Sequence, residues 1–420
     1  MYGMRTDGDG SAYSFASANL AKLAATPRYL WGAIRSFGVP RDPKLWVIGS
    51  NFGLSDGAWA FHQAASRLDD PPRIVWQVVG EQQRARAIEA GVAWVDRDSR
   101  QGFEVALRAG VIAVTHGLGD VNRYAQRGAV IVQLWHGSPL KKLNLDSPNV
   151  LNLGRAGRIP GLAKAMRAMY RFGTSHIAVF PVACAEFADS IRSAFGLSPS
   201  QVPAIGEPRE DELFHGSVDE RRAASRQLWQ AALPDLGDRR LILQAPTWRD
   251  GEVDPTIPTA ADWVRIEEFC ERTDSVLVIR PHPKSVGAYR PSAGRIHVID
   301  GSRQPQIMPL LWGVDVLITD YSSMLFDFSI TGAPILYLAP DLEHYRDTRG
   351  LYIDYAEICG GQPLRTWDAV LNRMDNWSDP AALAAEHANT AAIFDRFIPH
   401  RDGRNSERTV ARVLELLAHA

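Results

Sequence analysis

The sequence has few cysteines and no long apolar run. Its 420 residues include three cysteines, Cys184, Cys270 and Cys359, which form no CxxC pair. This argues against a disulfide framework or a structural zinc site, and it fits a reducing cytoplasm. The sequence contains no run of about 18 apolar residues, so no membrane span is predicted. It also lacks the early apolar core of a secretory signal, so no such signal is predicted.

Charge of one sign is not in excess either. The 46 Lys and Arg residues balance 48 Asp and Glu residues, and the formal net charge is -2. We therefore expect no nucleic-acid partner, and any anion-binding site must be local. The chain is too long for one ordinary hydrophobic core, which predicts two domains.

Several catalytic and cofactor-binding motifs are also missing. No GxGxxG follows a strand, and GxSxG, HExxH and GxxxxGK[ST] are absent, which argues against dinucleotide, serine hydrolase, zincin and P-loop chemistry. Asp96 and Asp98 form a DxD pair, but no other carboxylates group with them to complete a metal site. We therefore expect no metal and no cofactor.

Short apolar runs alternate with helical stretches along the chain, which predicts an α/β fold with parallel sheets. The first series of strand-like runs covers 45–49, 73–79, 111–116, 129–135 and 176–182. The second series covers 241–245, 275–280, 295–300, 314–319 and 334–338. We expect two Rossmann-like doubly wound domains facing a cleft. The expected boundaries are 1–40 for an N-terminal helical segment, 41–205 for an acceptor domain and 206–420 for a donor domain.

Ligands of doubly wound sheets bind beyond the carboxyl ends of the strands, so polar residues at those positions are candidates for a site. The stretch QLWHGSPLKK places His136 directly after a strand, followed by Gly137, Ser138 and Lys141. With an ordinary pKa of about 6.5, a histidine there can accept a proton near neutral pH. The alternative is a histidine that only hydrogen-bonds the turn.

Two further strand ends carry groups suited to phosphate. In VIRPHP, Arg280 and His282 face the same way because residues two apart in an extended chain share a side. In LQAPTWRD, Thr247 and Arg249 follow a strand, and we predict Arg249 as a second phosphate cation and Trp248 as a packing residue. The alternative for Arg280 is a solvated strand end.

The stretch LITDYSSMLFDF predicts a strand, a tight turn and a helix capped by Ser322 or Ser323. Free N–H groups at a helix start can bind phosphate. Asp327 lies four residues beyond Ser323, where it can accept hydrogen bonds from alditol hydroxyls. Serine caps are common, and Asp327 is equally explained as an acid favoured near a helix start.

The segment 155–171 carries five basic residues and no acidic one, with apolar residues at helical spacing. This predicts a basic amphipathic helix that lies on an anionic membrane surface. An ordinary surface helix is the alternative. The segment 12–37 is a weaker docking candidate.

Seven stretches, in order from about residue 130 to 410, resemble the CDP-glycerol glycerophosphotransferase family, the teichoic-acid and capsule primases and polymerases. They are QLWHGSPLKK, GEPREDELF, LQAPTWRD, VIRPHP, LITDYSSMLFDFSITGAPILYL, DLEHYRDTRGLYIDY and FIPHRDGRNSERTV. The sequence departs from the common pattern at Ser138, where threonine is frequent, and at Asn144, where glycine usually stands.

The resemblance implies a GT-B-like pair of domains whose last helix crosses back to the first. It implies transfer of an alditol phosphate from CDP-glycerol or CDP-ribitol to a lipid-linked or oligosaccharide acceptor, without a required metal. His136 then resembles the general base, and His282 the group at the donor pyrophosphate. Ser322 and Ser323 resemble further phosphate ligands. Such an enzyme is expected in the cytoplasm, on the inner face of the cell membrane.

Two other functions stay open. A GT-B glycosyltransferase with a nucleotide sugar would share the architecture and the phosphate-binding helix. A noncatalytic nucleotide-binding, membrane-docking protein would bind CDP-alditols without consuming them.

Overall fold

A computed structural model describes residues 31–32, 34–36, 38–148, 161–249, 251–282, 284–291, 294–299 and 306–419. The chain divides into two compact units. Unit 1 contains the described residues of Met1–His136, Leu143–Arg209 and Asn405–Ala420. Unit 2 contains those of Gly137–Lys142 and Glu210–Arg404. Most of the expected N-terminal helical segment, 1–40, lies outside the described residues.

Unit 1 alternates strands and helices, as the apolar runs predict. Its elements in chain order are β1 (Asp42–Gly49), α1 (Asp56–Ser66), β2 (Arg73–Val78), α2 (Gly80–Glu89), β3 (Trp94–Asp96), α3 (Arg100–Arg108), β4 (Ala109–Val114), β5 (Val130–Gln133), α4 (Leu162–Thr174), β6 (Ile177–Val179) and α5 (Ala185–Phe195).

The strands of unit 1 form one parallel sheet in the order β3-β2-β1-β4-β5-β6. All six residues of β4 are buried, as expected for a strand covered on both faces. Trp46 and Trp76 fill the core between this sheet and α1. Chain order reverses beside β1, so the carboxyl ends of β1 and β4 are where such a sheet binds ligands.

Unit 2 begins after a short irregular stretch. Its elements are α6 (Val218–Ala232), β7 (Arg240–Ala245), α7 (Ala260–Arg272), β8 (Ser275–Ile279), β9 (Ile296–Val298), β10 (Val316–Thr319), α8 (Met324–Ser329), β11 (Ile335–Tyr337), α9 (Leu342–Thr348), α10 (Tyr355–Cys359), α11 (Trp367–Asp375) and α12 (Pro380–Phe397). A last helix, α13 (Asn405–Ala418), belongs to unit 1 and packs on α1.

The strands of unit 2 form a second parallel sheet, in the order β11-β10-β7-β8-β9. Its core contains Trp263 and Phe269 from α7 and Trp367 from α11, packed on β7, β8 and β10. Each large apolar side chain that is fully buried stabilises the fold by about 1.5–3 kcal/mol.

The predicted fold class is confirmed for the two sheets, since both are parallel with helices between the strands. The strand β3 lies between the predicted runs 73–79 and 111–116 and was not predicted. Asn144 adopts a positive φ of 39°. This explains why glycine suits that position and why asparagine, which tolerates left-handed backbone, can replace it.

Candidate active site

His136 in unit 1 lies on a sharp turn two residues beyond Leu134, which continues β5. The residue before it, Trp135, has a φ of 59°, and Gly137 after it has a φ of 147°. The Nδ1 atom of His136 lies 3.4 Å from the carbonyl oxygen of Thr115. Because a carbonyl can only accept a hydrogen bond, this contact assigns the ring proton to Nδ1, and Nε2 is then the basic nitrogen.

A second imidazole lies against the first. The rings of His116 and His136 are stacked with centroids 4.2 Å apart and planes inclined by 8°. Phe52, which is 47% exposed, meets His116 edge-on at 4.5 Å and lies 6.2 Å from His136. The two imidazoles and the phenyl ring form an aromatic cluster beyond the carboxyl ends of β1, β4 and β5.

Asp120 fixes the backbone beneath this cluster. Its Oδ2 atom accepts N–H bonds from Thr115 at 2.9 Å and from His116 at 2.7 Å, and a hydroxyl bond from Thr115 at 3.1 Å. Burial raises the pKa of Asp120 above its ordinary value, although the charge of His116 and these hydrogen bonds oppose the shift. The carboxyl group therefore holds the end of β4 in place.

His282 in unit 2 follows β8, as predicted, and carries its ring proton on the other nitrogen. The backbone N–H of Lys284 donates to Nδ1 of His282 at 3.1 Å, which leaves the proton of the neutral ring on Nε2. The His282 side chain is exposed at the surface of unit 2, but partial desolvation by neighbouring protein atoms and the charges of Lys141 and Lys284 lower its pKa to about 4. At neutral pH His282 is therefore an uncharged N–H donor.

Trp248 lies beside His282 and is half-buried. The two rings are stacked with centroids 5.9 Å apart, and the guanidinium of Arg349 and the ammonium of Lys284 lie 4.7 and 5.3 Å from the Trp248 ring. We predicted a packing residue at this position. Trp248 instead contacts three polar groups.

Arg249 is not available to a ligand in the way predicted, because it is 4% exposed and bonded to the protein. Its Nε and Nη2 atoms donate to the carboxylate of Asp341 at 2.7 and 2.9 Å, and its Nη1 donates to Asp320 at 3.0 Å and to the Thr247 carbonyl. Burial acts to lower the pKa of Arg249, but the hydrogen bonds and charges of Asp341 and Asp320 outweigh it and raise the pKa. The phosphate assignment of Arg249 is corrected to an internal ion pair.

Thr247 is also buried, and it is tied to the same network. Its backbone N–H donates to Oδ1 of Asp320 at 2.8 Å. The rings of Tyr321 and Tyr345 stack at 3.8 Å, and each centroid lies 4.9 Å from the Arg249 guanidinium carbon. A cation enclosed by two carboxylates and two aromatic rings holds the segment after β7.

The predicted phosphate helix is the short helix α8. Ser323 stands at its N-cap with helical φ and ψ and makes no side-chain cap bond, while the hydroxyl of Ser322 accepts from the N–H of Met324 at 3.3 Å. Asp327 is 3% exposed because α8 packs against β10 and α12. Its burial disagrees with the expected role as an accessible alditol ligand.

Gly137, Ser138 and Lys141 belong to unit 2, whereas we placed them on the acceptor side. The N–H of Lys142 donates to the Gly350 carbonyl at 3.0 Å, and Lys141 forms an antiparallel bridge with Leu351. These backbone bonds attach the segment to unit 2, where the charge of Lys141 reaches His282. The division of the chain falls directly after His136.

Arg280 directly follows β8 and is half-buried, and its backbone N–H donates to the Gln244 carbonyl at 2.8 Å. The DxD pair forms ion pairs at the surface, Asp96 with Arg84 and Asp98 with Arg97. Within the described part of the chain, no group of three or more His, Cys, Asp or Glu residues is placed to hold a metal ion. The same residues include no helix that is long and apolar enough to cross a membrane.

Sequence reasoning missed several residues that surround the predicted ones. His116, Asp120 and Asp320 follow strands, so the strand-end rule selects their stretches but gives no reason to prefer them. Lys284 and Arg349 carry no signal in the sequence, because only the folded chain brings both to Trp248.

Comparison with known proteins agrees with the motifs. A family model described as CDP-Glycerol:Poly(glycerophosphate) glycerophosphotransferase matches residues 34–415. A teichoic acid glycerol-phosphate transferase of Staphylococcus aureus is 26% identical over 369 residues, which cover 83% of this chain and 90% of the relative. A teichoic acid ribitol-phosphate polymerase of the same species is 30% identical over 221 residues, or 52% of this chain and 41% of the relative. The chain thus spans about two fifths of that polymerase.

Solved structures agree on the fold. The wall teichoic acid polymerase TagF superposes with a TM-score of 0.71 at 21% identity, with 99% of both chains covered. A UDP-GlcNAc 2-epimerase from Neisseria meningitidis gives a TM-score of 0.55 at 11% identity, covering 88% of this chain and 99% of the other. The family predicted from seven ordered stretches is confirmed, and the chain belongs to the CDP-glycerol:poly(glycerophosphate) glycerophosphotransferase family.

Proposed function

We propose that this protein transfers glycerol phosphate, or a related alditol phosphate, from a CDP-alditol to a hydroxyl of a lipid-linked or saccharide acceptor. The reaction releases CMP and extends or primes a teichoic acid or capsule polymer. The observation that carries the proposal is the pair of histidines after strand ends, one with a basic Nε2 atom and one with an Nε2–H donor.

His136 acts as the general base in this reaction. Its Nε2 atom takes the proton of the acceptor hydroxyl, and the oxygen forms a bond to the alditol-bearing phosphorus. The bond between that phosphorus and the bridging oxygen breaks, and CMP leaves with the electron pair. A proton held on Nδ1 by the Thr115 carbonyl puts the basic lone pair on Nε2, the nitrogen that this step uses.

His282 acts on the donor. As a neutral ring it donates from Nε2 to a diphosphate oxygen, and its stabilisation grows as charge develops on the leaving phosphate. Arg280 and the hydroxyls of Ser322 and Ser323 remain proposed phosphate ligands. Arg249 supports the site indirectly, because it anchors the segment that carries Trp248. No metal is proposed.

The donor is CDP-glycerol or CDP-ribitol, and relatives of both kinds support including both in a test. One relative is named a glycerol-phosphate transferase and another a ribitol-phosphate polymerase. The acceptor is proposed only as a class, a hydroxyl on a lipid-linked primer or on a capsule saccharide.

We also propose that the protein docks on the inner face of the cell membrane through the helix predicted over 155–171. Residues 155–160 lie outside the described part. The described residues of this segment include the first turns of α4. On this helix Lys164 and Arg167 are exposed, and Phe172, one residue past the segment, is 72% exposed. Exposed apolar and basic side chains on one helix favour an anionic lipid surface. Phe172→Ser together with Arg167→Glu should abolish co-sedimentation with anionic vesicles, while unchanged binding would exclude this surface.

The experiment that tests the function is product analysis. The protein is incubated with CDP-glycerol, CDP-ribitol or nucleotide sugars, with teichoic primer or capsule oligosaccharide as acceptor, in the presence and absence of EDTA. Release of CMP together with acceptor growth by one alditol phosphate supports the proposal, and we expect EDTA to leave the rate unchanged. Release of a nucleoside diphosphate would instead identify a glycosyltransferase. Binding of CDP-alditols with no consumption of any donor would identify the noncatalytic alternative.

A further inference from the structure

Phe52 lies in the turn after β1 and has no part in the proposed proton transfer. Its ring is 47% exposed, and it meets the half-buried imidazole of His116 edge-on with centroids 4.5 Å apart. A single exposed phenyl ring is ordinary at a protein surface. This one lies 6.2 Å from the ring of the proposed base, His136, where the acceptor has to bind.

The three rings of the aromatic cluster are arranged as a right angle. The centroids of His116 and His136 are 4.2 Å apart, and those of Phe52 lie at 4.5 and 6.2 Å, which are the sides of a right-angled triangle with its corner at His116. The phenyl plane is inclined by 71° and 78° to the two stacked imidazoles. Phe52 therefore stands beside the edges of the stack, so a molecule bound at that edge of His136 can also touch the phenyl ring.

The turn that carries Phe52 is closed by hydrogen bonds. The Phe52 N–H donates to the hydroxyl oxygen of Ser50 at 3.1 Å, and the Phe52 carbonyl accepts from the Ser55 hydroxyl at 3.0 Å. Both serines are 4% exposed. Gly53 follows with a φ of 71°, which glycine adopts without strain, and its N–H donates to the Ser50 carbonyl at 3.0 Å. The backbone beneath the exposed ring is thus anchored in the interior of unit 1.

One buried threonine links this turn to both imidazoles. The Oγ1 atom of Thr115 lies 3.0 Å from Oγ of Ser50 and 3.0 Å from Nδ1 of His116. The Thr115 carbonyl faces Nδ1 of His136, and Asp120 accepts hydrogen bonds from the N–H and hydroxyl of Thr115. Buried hydrogen bonds therefore set the spacing between the phenyl ring and the proposed base.

The chemistry of the phenyl ring fits the carbon side of a polyol. The face of an aromatic ring is negative, so it attracts the positively polarised C–H groups of a neighbour and has no hydrogen bond to offer a phosphate. An alditol or a sugar carries C–H groups along its chain or ring, next to hydroxyls that can reach an imidazole. The pair of Phe52 and His136 matches that combination and does not match a diphosphate.

We propose that Phe52 is a specificity-determining residue for the acceptor, and that its exposed ring packs on the C–H groups of the alditol or sugar whose hydroxyl meets His136. The role of His136 as the base rests on the proposed function. The inference adds a contact outside the conspicuous motifs, and it predicts selection of polyol and carbohydrate acceptors over simple alcohols.

The first test is steady-state kinetics with CDP-glycerol and the teichoic primer or capsule oligosaccharide that the product analysis shows to be extended. Phe52→Leu should raise the KM for the acceptor by about 10-fold and change kcat and the KM for CDP-glycerol by no more than about 2-fold. Phe52→Tyr keeps the aromatic face and should behave like the parent. Ile88→Ala, which removes a 62% exposed apolar side chain from α2, is the matched control and should change neither KM. A raised KM for CDP-glycerol with an unchanged KM for the acceptor would place Phe52 at the donor and overturn the proposal.

The second test detects the contact without turnover. Saturation-transfer NMR measures magnetisation passed from aromatic protons of the full chain to the C–H protons of a glycerol phosphate tetramer or a capsule oligosaccharide. We expect transfer to at least one of these probes in the parent and in Phe52→Tyr, and its loss in Phe52→Leu. A role in packing alone would lower Tm in Phe52→Leu and leave the transfer unchanged, which would overturn the proposal. Absence of transfer to both probes in the parent would overturn it as well.

The outcomes for the two proposals are distinct. If saturation transfer follows the expected pattern but no CDP-alditol is consumed, the acceptor contact stands and the proposed function fails. If the parent releases CMP while Phe52→Leu keeps the parental KM for the acceptor, the proposed function stands and this inference fails.

Discussion

The histidines at 136 and 282 carry their ring protons on opposite nitrogens because their backbone neighbours differ. A carbonyl oxygen faces Nδ1 of His136, and a backbone N–H faces Nδ1 of His282. The first arrangement leaves a basic Nε2 atom and the second an Nε2–H donor. Histidine thus offers a basic nitrogen at one position and an N–H donor at the other, and the neighbouring main-chain atoms decide which.

Replacing His136 by alanine should remove the base and keep the donor site. We expect His136→Ala to lower turnover by about 100-fold or more with little change in CDP affinity. Rates are measured as CMP release and affinity by calorimetry. His176→Ala, which removes an exposed histidine in the same unit, is the control and should behave like the parent. Parental turnover in His136→Ala would end the assignment of the base.

Arg249 should prove essential for stability rather than for direct phosphate contact. Arg249→Ala leaves the buried Asp320 and the partly buried Asp341 without their cation, and we expect a loss of about 3–5 kcal/mol in the free energy of unfolding. Arg249→Lys keeps the charge but loses the paired bonds to Asp341, so its loss should be smaller. Chemical denaturation measures both. Parental stability in Arg249→Ala, with weaker CDP binding, would restore the phosphate role.

Sequence reasoning located these residues but could not assign all of their roles. Parallel strands bring their carboxyl ends to one edge, so His136, His282 and Thr247 can be selected from the chain alone. Whether an arginine at such an edge faces a ligand or two aspartates depends on contacts between residues 71 and 92 positions apart. No spacing rule reports such contacts.

At the scale of elements, the predicted apolar runs locate every described strand of the two sheets except β3. The six-residue strand β4 is an unbroken run of apolar residues and glycine, a pattern typical of a strand buried on both faces. The three-residue strand β3 is stabilised by its pairing with β2, which is a tertiary contact that the local sequence does not encode. The basic helix begins at Leu162, inside the predicted range 155–171.

The last helix, α13, is joined to unit 1 through a close contact at Gly206. Gly206 has a φ of 87°, and a Cβ atom there would lie 2.0 Å from Oδ1 of Asn405. Asn405 is fully buried and donates to the Glu207 carbonyl at 3.0 Å. Little room therefore exists for any side chain at position 206.

Gly206→Ala should cost more than backbone strain alone. We expect a loss of roughly 2–4 kcal/mol in the free energy of unfolding, because the methyl group must displace a buried amide. Gly332→Ala is the matched control, since Gly332 also has a positive φ of 71° but no atom within 4 Å of the added Cβ. Its loss should be about 1 kcal/mol. If Gly206→Ala and Gly332→Ala lose the same free energy of unfolding, measured by heat or denaturant, the contact with Asn405 adds nothing to the backbone strain.

For the whole molecule, two histidines make stability depend on pH in the acid range. Burial lowers the pKa of His62 to about 4. Partial desolvation and the charges of Lys141 and Lys284 lower the pKa of the surface residue His282 to about 4. As the pH falls, the two histidines of the unfolded chain bind protons near pH 6.5, whereas those of the folded chain bind them only near pH 4. Stability should therefore fall as the pH drops from about 6.5 to 4 and should gain no further slope from these groups below 4.

The contribution of His62 can be isolated. Its Nδ1 atom accepts a hydrogen bond from the Trp76 indole at 3.2 Å, and glutamine can supply an acceptor without titrating. His62→Gln should reduce the acid loss by an amount on the order of 1 to 3 kcal/mol, measured as the difference in Tm or denaturation midpoint between pH 7 and pH 4. If His62→Gln keeps the pH dependence of the parent protein, the pKa of His62 is not lowered in the folded state.

The backbone at Trp135 has one more consequence. Left-handed φ costs an ordinary residue about 1–2 kcal/mol, and the ring of Trp135 is held at 4.3 Å from His136, 5.3 Å from Phe195 and 5.7 Å from Phe180. Aromatic packing, rather than local preference, thus dictates the shape of this turn. Replacing Trp135 by glycine would relieve the left-handed φ but would also remove the ring packed against the imidazole of His136, so strain in the main chain is the cost of this side-chain arrangement.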